Sequence, residues 1–259
     1  MHDPDEGISA TGMIVTGAGR RRVPAAFEPV VASAIEEFEA RVEDRASLLV
    51  YGSVATGMAQ VGSSDVDLLT VGVPAHVGAE LSRLLSDRFA NRCRSVDAAC
   101  CATDDLVGDR DEAYGNRVFL RHYCVTLAGD DPVDRAVDFP ADVRAARGFN
   151  GDIGRHLDRW RTELDAGSDP SELARVAARK SLLAVAGLVS VHDRTWTTDR
   201  LGSARRWAAI DRTMSDGLAI LLGWIENGPG ATRGEVDEVL AGPITAIVAA
   251  FDRAVGLWE

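Results

Sequence analysis

Of the 28 cationic residues only Lys180 is a lysine, the rest being arginine, and 40 acids outnumber them to give a formal charge of −12. A chain so short of positive charge lacks the cation clusters that displace counterions from a phosphate backbone, so nonspecific nucleic-acid binding is not expected. A cationic or metal-chelated partner suits this balance better. The four cysteines, Cys93, Cys100, Cys101 and Cys124, form no C-x-x-C pair, and adjacent Cys100 and Cys101 make a poor zinc chelate. They read as reduced, mostly buried thiols. No run of about 18 apolar residues exists, and the start MHDPDEGISATGM is acidic where a signal peptide is basic and then apolar. A cytoplasmic protein without a membrane span is the expectation.

What is present is the composition of an ordinary globular protein, 46% hydrophobic and 26% charged over 259 residues. On scaling grounds roughly three quarters of the unfolded surface would be buried, enough for two domains without a metal or disulfide staple. Residues 1–23 hold glycines, acids and Arg20, Arg21 and Arg22 without periodicity, which predicts a flexible arm. Phe27, Val30, Val31, Ile35, Phe38 and Val42 recur at intervals of three and four and predict an amphipathic helix. The short apolar segments at 47–53, 65–72, 95–102 and 122–132 read as strands of one mixed sheet, with a helix over 76–92. Beyond Pro132, helical spacing runs through 141–166, 171–191, 202–210, 214–227 and 234–257, broken at 167–170, 193–198 and 227–230. The expected fold class is therefore α+β, with a mixed-sheet domain over 24–135 followed by an all-α helical bundle over 136–259.

The chemistry is concentrated in YGSVATGMAQVGSSDVDLLTV, residues 51–71. A strand leads into the turn Gly52-Ser53, and a second strand opens with Asp65 and Asp67. Side chains alternate along a strand, so these two carboxylates share a face, roughly 6–7 Å apart along the chain. Magnesium prefers a few carboxylates completed by phosphate oxygens and water, and so suits such a pair beside a phosphate loop. Gly52 permits close backbone approach, and Ser53 offers an N–H and a hydroxyl where an anion is favoured. Asp97, in Ser95-Val96-Asp97-Ala98, is the expected third acid, with Asp104 and Asp105 as substitutes.

A hydrophobic strand, Gly-Ser, a spacer and Ser64-Asp65-Val66-Asp67-Leu68 resembles the nucleotidyltransferase superfamily that includes DNA polymerase beta, and within it the aminoglycoside nucleotidyltransferases. The resemblance implies that Asp65 and Asp67 bind Mg²⁺ and that Gly52, Ser53 and Ser64 hold the triphosphate. It further implies that Asp97 joins the metal or activates an acceptor hydroxyl, and that the helical domain lends cations, here Arg179, Lys180 and Arg200, to the phosphates. The implied reaction moves AMP from ATP to a hydroxyl of a small molecule, an aminoglycoside-type antibiotic first among them, and releases pyrophosphate. Two readings of other classes fit the same motif: an antitoxin-like adenylyltransferase that modifies a protein, and a silent nucleotide-binding module. The scattered histidines, Trp196 and Trp207 read as structural, and the R-x4-H spacing of Arg117 and His122 as coincidence.

Overall fold

A computed structural model of the chain describes residues 3–42, 46–226 and 230–258. Contacts divide the chain into two compact units, one holding the residues up to Ser9 and Met13–Phe139, the other Ala10–Gly12 and the residues from Pro140 onward.

The first unit opens with a small hairpin, β1 (Gly7–Ile8) and β2 (Ile14–Val15), in place of the flexible arm that the composition predicts. Ile14 is buried, Asp3 accepts from the Gly17 N–H at 2.6 Å, and Arg20–Arg22 form a 3-10 turn. These ties are long-range hydrogen bonds and one buried side chain, neither of which leaves a periodic signal.

Helix α1 (Glu28–Glu39) carries Pro29 in its first turn and buries Val30, Val31, Ala34 and Phe38, the three-and-four spacing of the sequence. The four-stranded sheet has the order β5 (Val96–Cys101), β4 (Val66–Val71), β3 (Ser47–Tyr51), β6 (Val125–Ala128). β3 runs antiparallel to both neighbours, while β4 and β5 are parallel and joined through α3 (Ala75–Arg88), so the sheet is mixed. One face packs Leu48, Val50, Leu68 and Val96 with Phe27, just ahead of α1, and with Val31, Leu81 and Leu85 from α1 and α3. The other gathers Leu49, Leu69 and Val71 with Leu120 and Cys124, in and just beyond α4 (Asp111–Tyr123). Two burial faces explain why β3 and β4 read as near-continuous apolar runs rather than alternating ones.

The second unit is helical: α5 (Val143–Asn150), α6 (Ile153–Asp165), α7 (Pro170–Asp193), α8 (Arg200–Ile210), α9 (Ser215–Glu226), α10 (Arg233–Val239) and α11 (Thr245–Ala254). The long α7 is its axis, packed by α5, α6, α8, α9 and α11. Side chains of Asp142, Asp169, Asp199 and Thr232 cap α5, α7, α8 and α10. Two predicted helices are interrupted. At Gly151 a Cβ would collide with the Trp258 ring, and the Gly151 carbonyl accepts from the Trp258 N–H at 2.9 Å. At Leu240–Ile244 a π turn accommodates Pro243, which has no N–H to give. The predicted break at 227–230 lies outside the described residues except for Gly230. Trp196 and Trp207 are buried, as expected for packing residues. Among the described residues no helix is long and apolar enough to cross a membrane.

Candidate active site

The Gly-Ser turn forms because β3 ends at Tyr51 and Gly52 takes φ +68°, a left-handed value that side chains resist. The single turn α2 (Gly52–Ala55) follows, with the Thr56 hydroxyl donating to the Gly52 carbonyl at 3.1 Å. Tyr51 is paired across the sheet with Asp67, which brings the turn beside the start of β4. The Asp67 carboxylate occupies the space above Gly52, where an added Cβ would overlap its Oδ2.

Asp97 is the direct neighbour of Asp67 in the parallel ladder of β4 and β5. Both side chains project on the sheet face opposite to α1 and α3, since the flanking Val66, Leu68 and Val96 are buried on the other. Asp65 stands just before β4. Ser95 Oγ lies 2.9 Å from Asp65 Oδ1 and 2.9 Å from Asp97 Oδ2, so one hydroxyl joins two of the predicted acids. It has a single proton, and can donate to only one of them at a time. Arg94 forks onto Asp65, Nε at 2.8 Å from Oδ1 and Nη2 in close contact with Oδ2.

Asp65, Asp67 and Asp97 thus lie at one end of two adjacent strands, with Asp67 against Gly52. Oxygen donors of this kind suit a hard divalent cation. Among the described residues no three His, Cys, Asp or Glu groups converge closely enough to hold a metal as they stand. At Asp65 a guanidinium occupies the position of a cation. The fit is therefore one of donor chemistry alone.

The remaining predicted residues have separate settings. The Ser64 hydroxyl accepts from the Gln60 N–H at 2.9 Å and closes the turn ahead of Asp65. Asp105 accepts from the Ala102 N–H at 3.1 Å within a 3-10 turn, which explains its residue type without catalysis. In the second unit Lys180 departs from the expectation of an ammonium offered to phosphate. Its Nζ pairs with Asp152 Oδ1 at 2.7 Å and reaches the Phe149 carbonyl at 3.2 Å. Burial pushes the Asp152 carboxyl up, but His156 and Lys180 hold it below the usual value. Arg179 and Arg200 differ: Arg200 Nε donates to the Arg179 carbonyl at 3.0 Å, and among the described residues no carboxylate forms an ion pair with either. Burial and the Arg179 charge both pull the Arg200 guanidinium below its ordinary value. The Arg200 guanidinium thus lies within reach of a second cationic charge, a setting that favours an anion.

Sequence reading missed Arg94 and Ser95. Ser95 lies two residues before Asp97 and so on the same face, a period-2 signal that was available; Arg94 carried none. The cysteines are free as expected, but only Cys93 and Cys124 are buried, because β5 is an edge strand and leaves Cys100 exposed. The Cys101 thiol is pushed up to about 11, first by burial and then by Asp105.

No protein-family profile and no curated protein matches the chain in sequence. Among solved structures the chain is similar to spectinomycin adenyltransferase AAD(9) from Enterococcus faecialis, determined with ATP and spectinomycin. The TM-score is 0.50 at 10% identity, over 85% of this chain and 99% of that one. What this chain shares with that enzyme is the fold: a mixed sheet followed by a helical region.

Proposed function

We propose that the protein is a Mg²⁺-dependent nucleotidyltransferase that moves the nucleoside monophosphate of a triphosphate, ATP first, to a hydroxyl of a small molecule and releases pyrophosphate. The observation that carries this reading is the register of Asp67 beside Asp97, with Asp65 joined to Asp97 through Ser95 Oγ, next to the Gly52-Ser53 turn. The shared fold with an enzyme solved with ATP and spectinomycin supports a nucleotide donor and an aminoglycoside-type acceptor.

Asp65, Asp67 and Asp97 would hold magnesium, which when bound supplies positive charge against the phosphate oxygens. Gly52 lets the backbone approach those oxygens, and Ser53 and Ser64 offer hydroxyls to them. Asp97 is exposed at the edge strand and takes the proton of the acceptor hydroxyl. The freed oxygen forms its bond to the α-phosphorus as the bond to the bridging oxygen breaks, and pyrophosphate leaves with the electron pair. Arg179 and Arg200 offset anionic charge, in preference to Lys180, whose charge Asp152 already answers. The net acidity of the chain favours a cationic acceptor.

The test is pyrophosphate release from purified protein with Mg²⁺ and ATP, GTP, CTP or UTP, with and without a panel of aminoglycosides, followed by mass spectrometry. A nucleotide-sized mass gain on one antibiotic, lost in Asp65→Asn, is the expected result. A mass gain on protein instead would reassign the acceptor, and no transfer to either would reject catalysis.

A further inference from the structure

Arg94 comes from the segment before β5, and its side chain is 65% exposed, yet it places two donors on a carboxylate that is only 19% exposed. Such a two-pronged grip is the strongest ion-pair geometry that a guanidinium offers. It takes one lone-pair direction on each Asp65 oxygen, and Ser95 Oγ faces Oδ1 as well. Ser95 meanwhile faces both Asp65 and Asp97 with one proton, and among the described residues the ion pair made by either acid is that of Asp65 with Arg94.

We propose that Arg94 is a resident counter-cation of the acid cluster, a positioning residue that competes with the divalent cation for Asp65 and must let go when the ion loads. This rests on the reading of Asp65, Asp67 and Asp97 as the cation's ligands. A divalent ion at Asp65 and a guanidinium on the same carboxylate repel each other across a few ångströms. The Arg94 side chain is mostly exposed and can swing toward solvent, whereas Asp67 and Asp97 are fixed by the ladder of β4 and β5 and Asp65 directly precedes it. The arrangement keeps Asp65 paired until an ion displaces the arginine, at the expense of affinity for that ion.

The experiment measures Mn²⁺ binding to the nucleotide-free protein by electron paramagnetic resonance. Arg94→Ala removes the competitor and should tighten binding about tenfold, the equivalent of one charge-assisted hydrogen bond. Arg94→Lys keeps the charge but loses the fork and should fall between wild type and Ala. Thermal unfolding supplies a second readout: the stabilisation produced by Mn²⁺ should be larger in Arg94→Ala than in wild type. If Arg94 instead held Asp65 in place for the ion, its loss would weaken binding, so equal or weaker affinity overturns the proposal. Binding by wild type with unchanged affinity in Arg94→Ala defeats this inference alone. Absence of Mn²⁺ binding in both proteins defeats the metal reading and this inference with it.

Discussion

The carboxylate of Asp67 rests on Gly52, in the space that any other residue would fill with its Cβ. Glycine is thus required twice at one position, by φ +68° and by the acid above it. Gly52→Ala should lose about 1–2 kcal/mol from the left-handed backbone alone, and more from displacing Asp67. Thermal unfolding should show the loss, and pyrophosphate release should fall at least tenfold. An alanine variant with wild-type turnover would mean that Asp67 need not sit where it does.

Asp67→Asn keeps the shape of the side chain and removes its charge. Transfer should fall by about 10³-fold or more, the scale for removing a group that acts on developing charge, with an unchanged circular dichroism spectrum. Residual activity near the wild-type rate would remove Asp67 from the ligand set.

Arg200 Nε donates to the Arg179 carbonyl and, among the described residues, neither arginine forms an ion pair, while Lys180 is paired with Asp152. Alanine at Arg179 or Arg200 should raise KM for the triphosphate about tenfold, one charge-assisted contact each. Lys180→Ala should mainly destabilise the second unit by exposing the need of a partly buried Asp152 for its partner. Steady-state kinetics combined with urea unfolding separates the two patterns, and a KM effect confined to Lys180 would reverse the assignment.

His122, on α4, is buried and accepts from the Phe139 N–H at Nε2, 3.1 Å away. Burial first, and Arg121 second, pull its imidazole down to about 4. Between that value and the ordinary 6.5 the unfolded chain binds a proton that the folded chain does not. Its contribution is therefore complete above about pH 6.5 and is lost as pH falls toward 4, up to about 3 kcal/mol. His122→Gln, which keeps an acceptor but cannot titrate, should flatten that part of the stability curve in urea titrations at pH 4.5 and 7. A slope unchanged by the substitution would assign the acid sensitivity elsewhere.

The sheet and the bundle were legible because their signals are local. Strands β3 and β4 are short apolar runs, α1 repeats its apolar residues at helical spacing, and α5, α7, α8 and α10 each start behind a capping Asp or Thr. From the sequence Asp97 reads only as a third acid on the next strand; its place beside Asp67 comes from the parallel ladder. What escaped depended on partners far away in the chain. Thr16, 106 residues from the His122 carbonyl to which it donates, helps to order a segment whose composition reads as unstructured. Lys180 looks like an offered cation until Asp152, 28 residues before it, is folded against it, and the Arg94 grip on Asp65 spans 29 residues.

The pairing of Lys180 with Asp152 has a practical consequence for handling the protein. With its only lysine engaged and four-fifths covered, the molecule presents no free side-chain amine to acylating labels, aldehyde fixatives or amine-directed supports. Its surface cations are guanidiniums, which such reagents leave charged and which stay protonated far into the alkaline range.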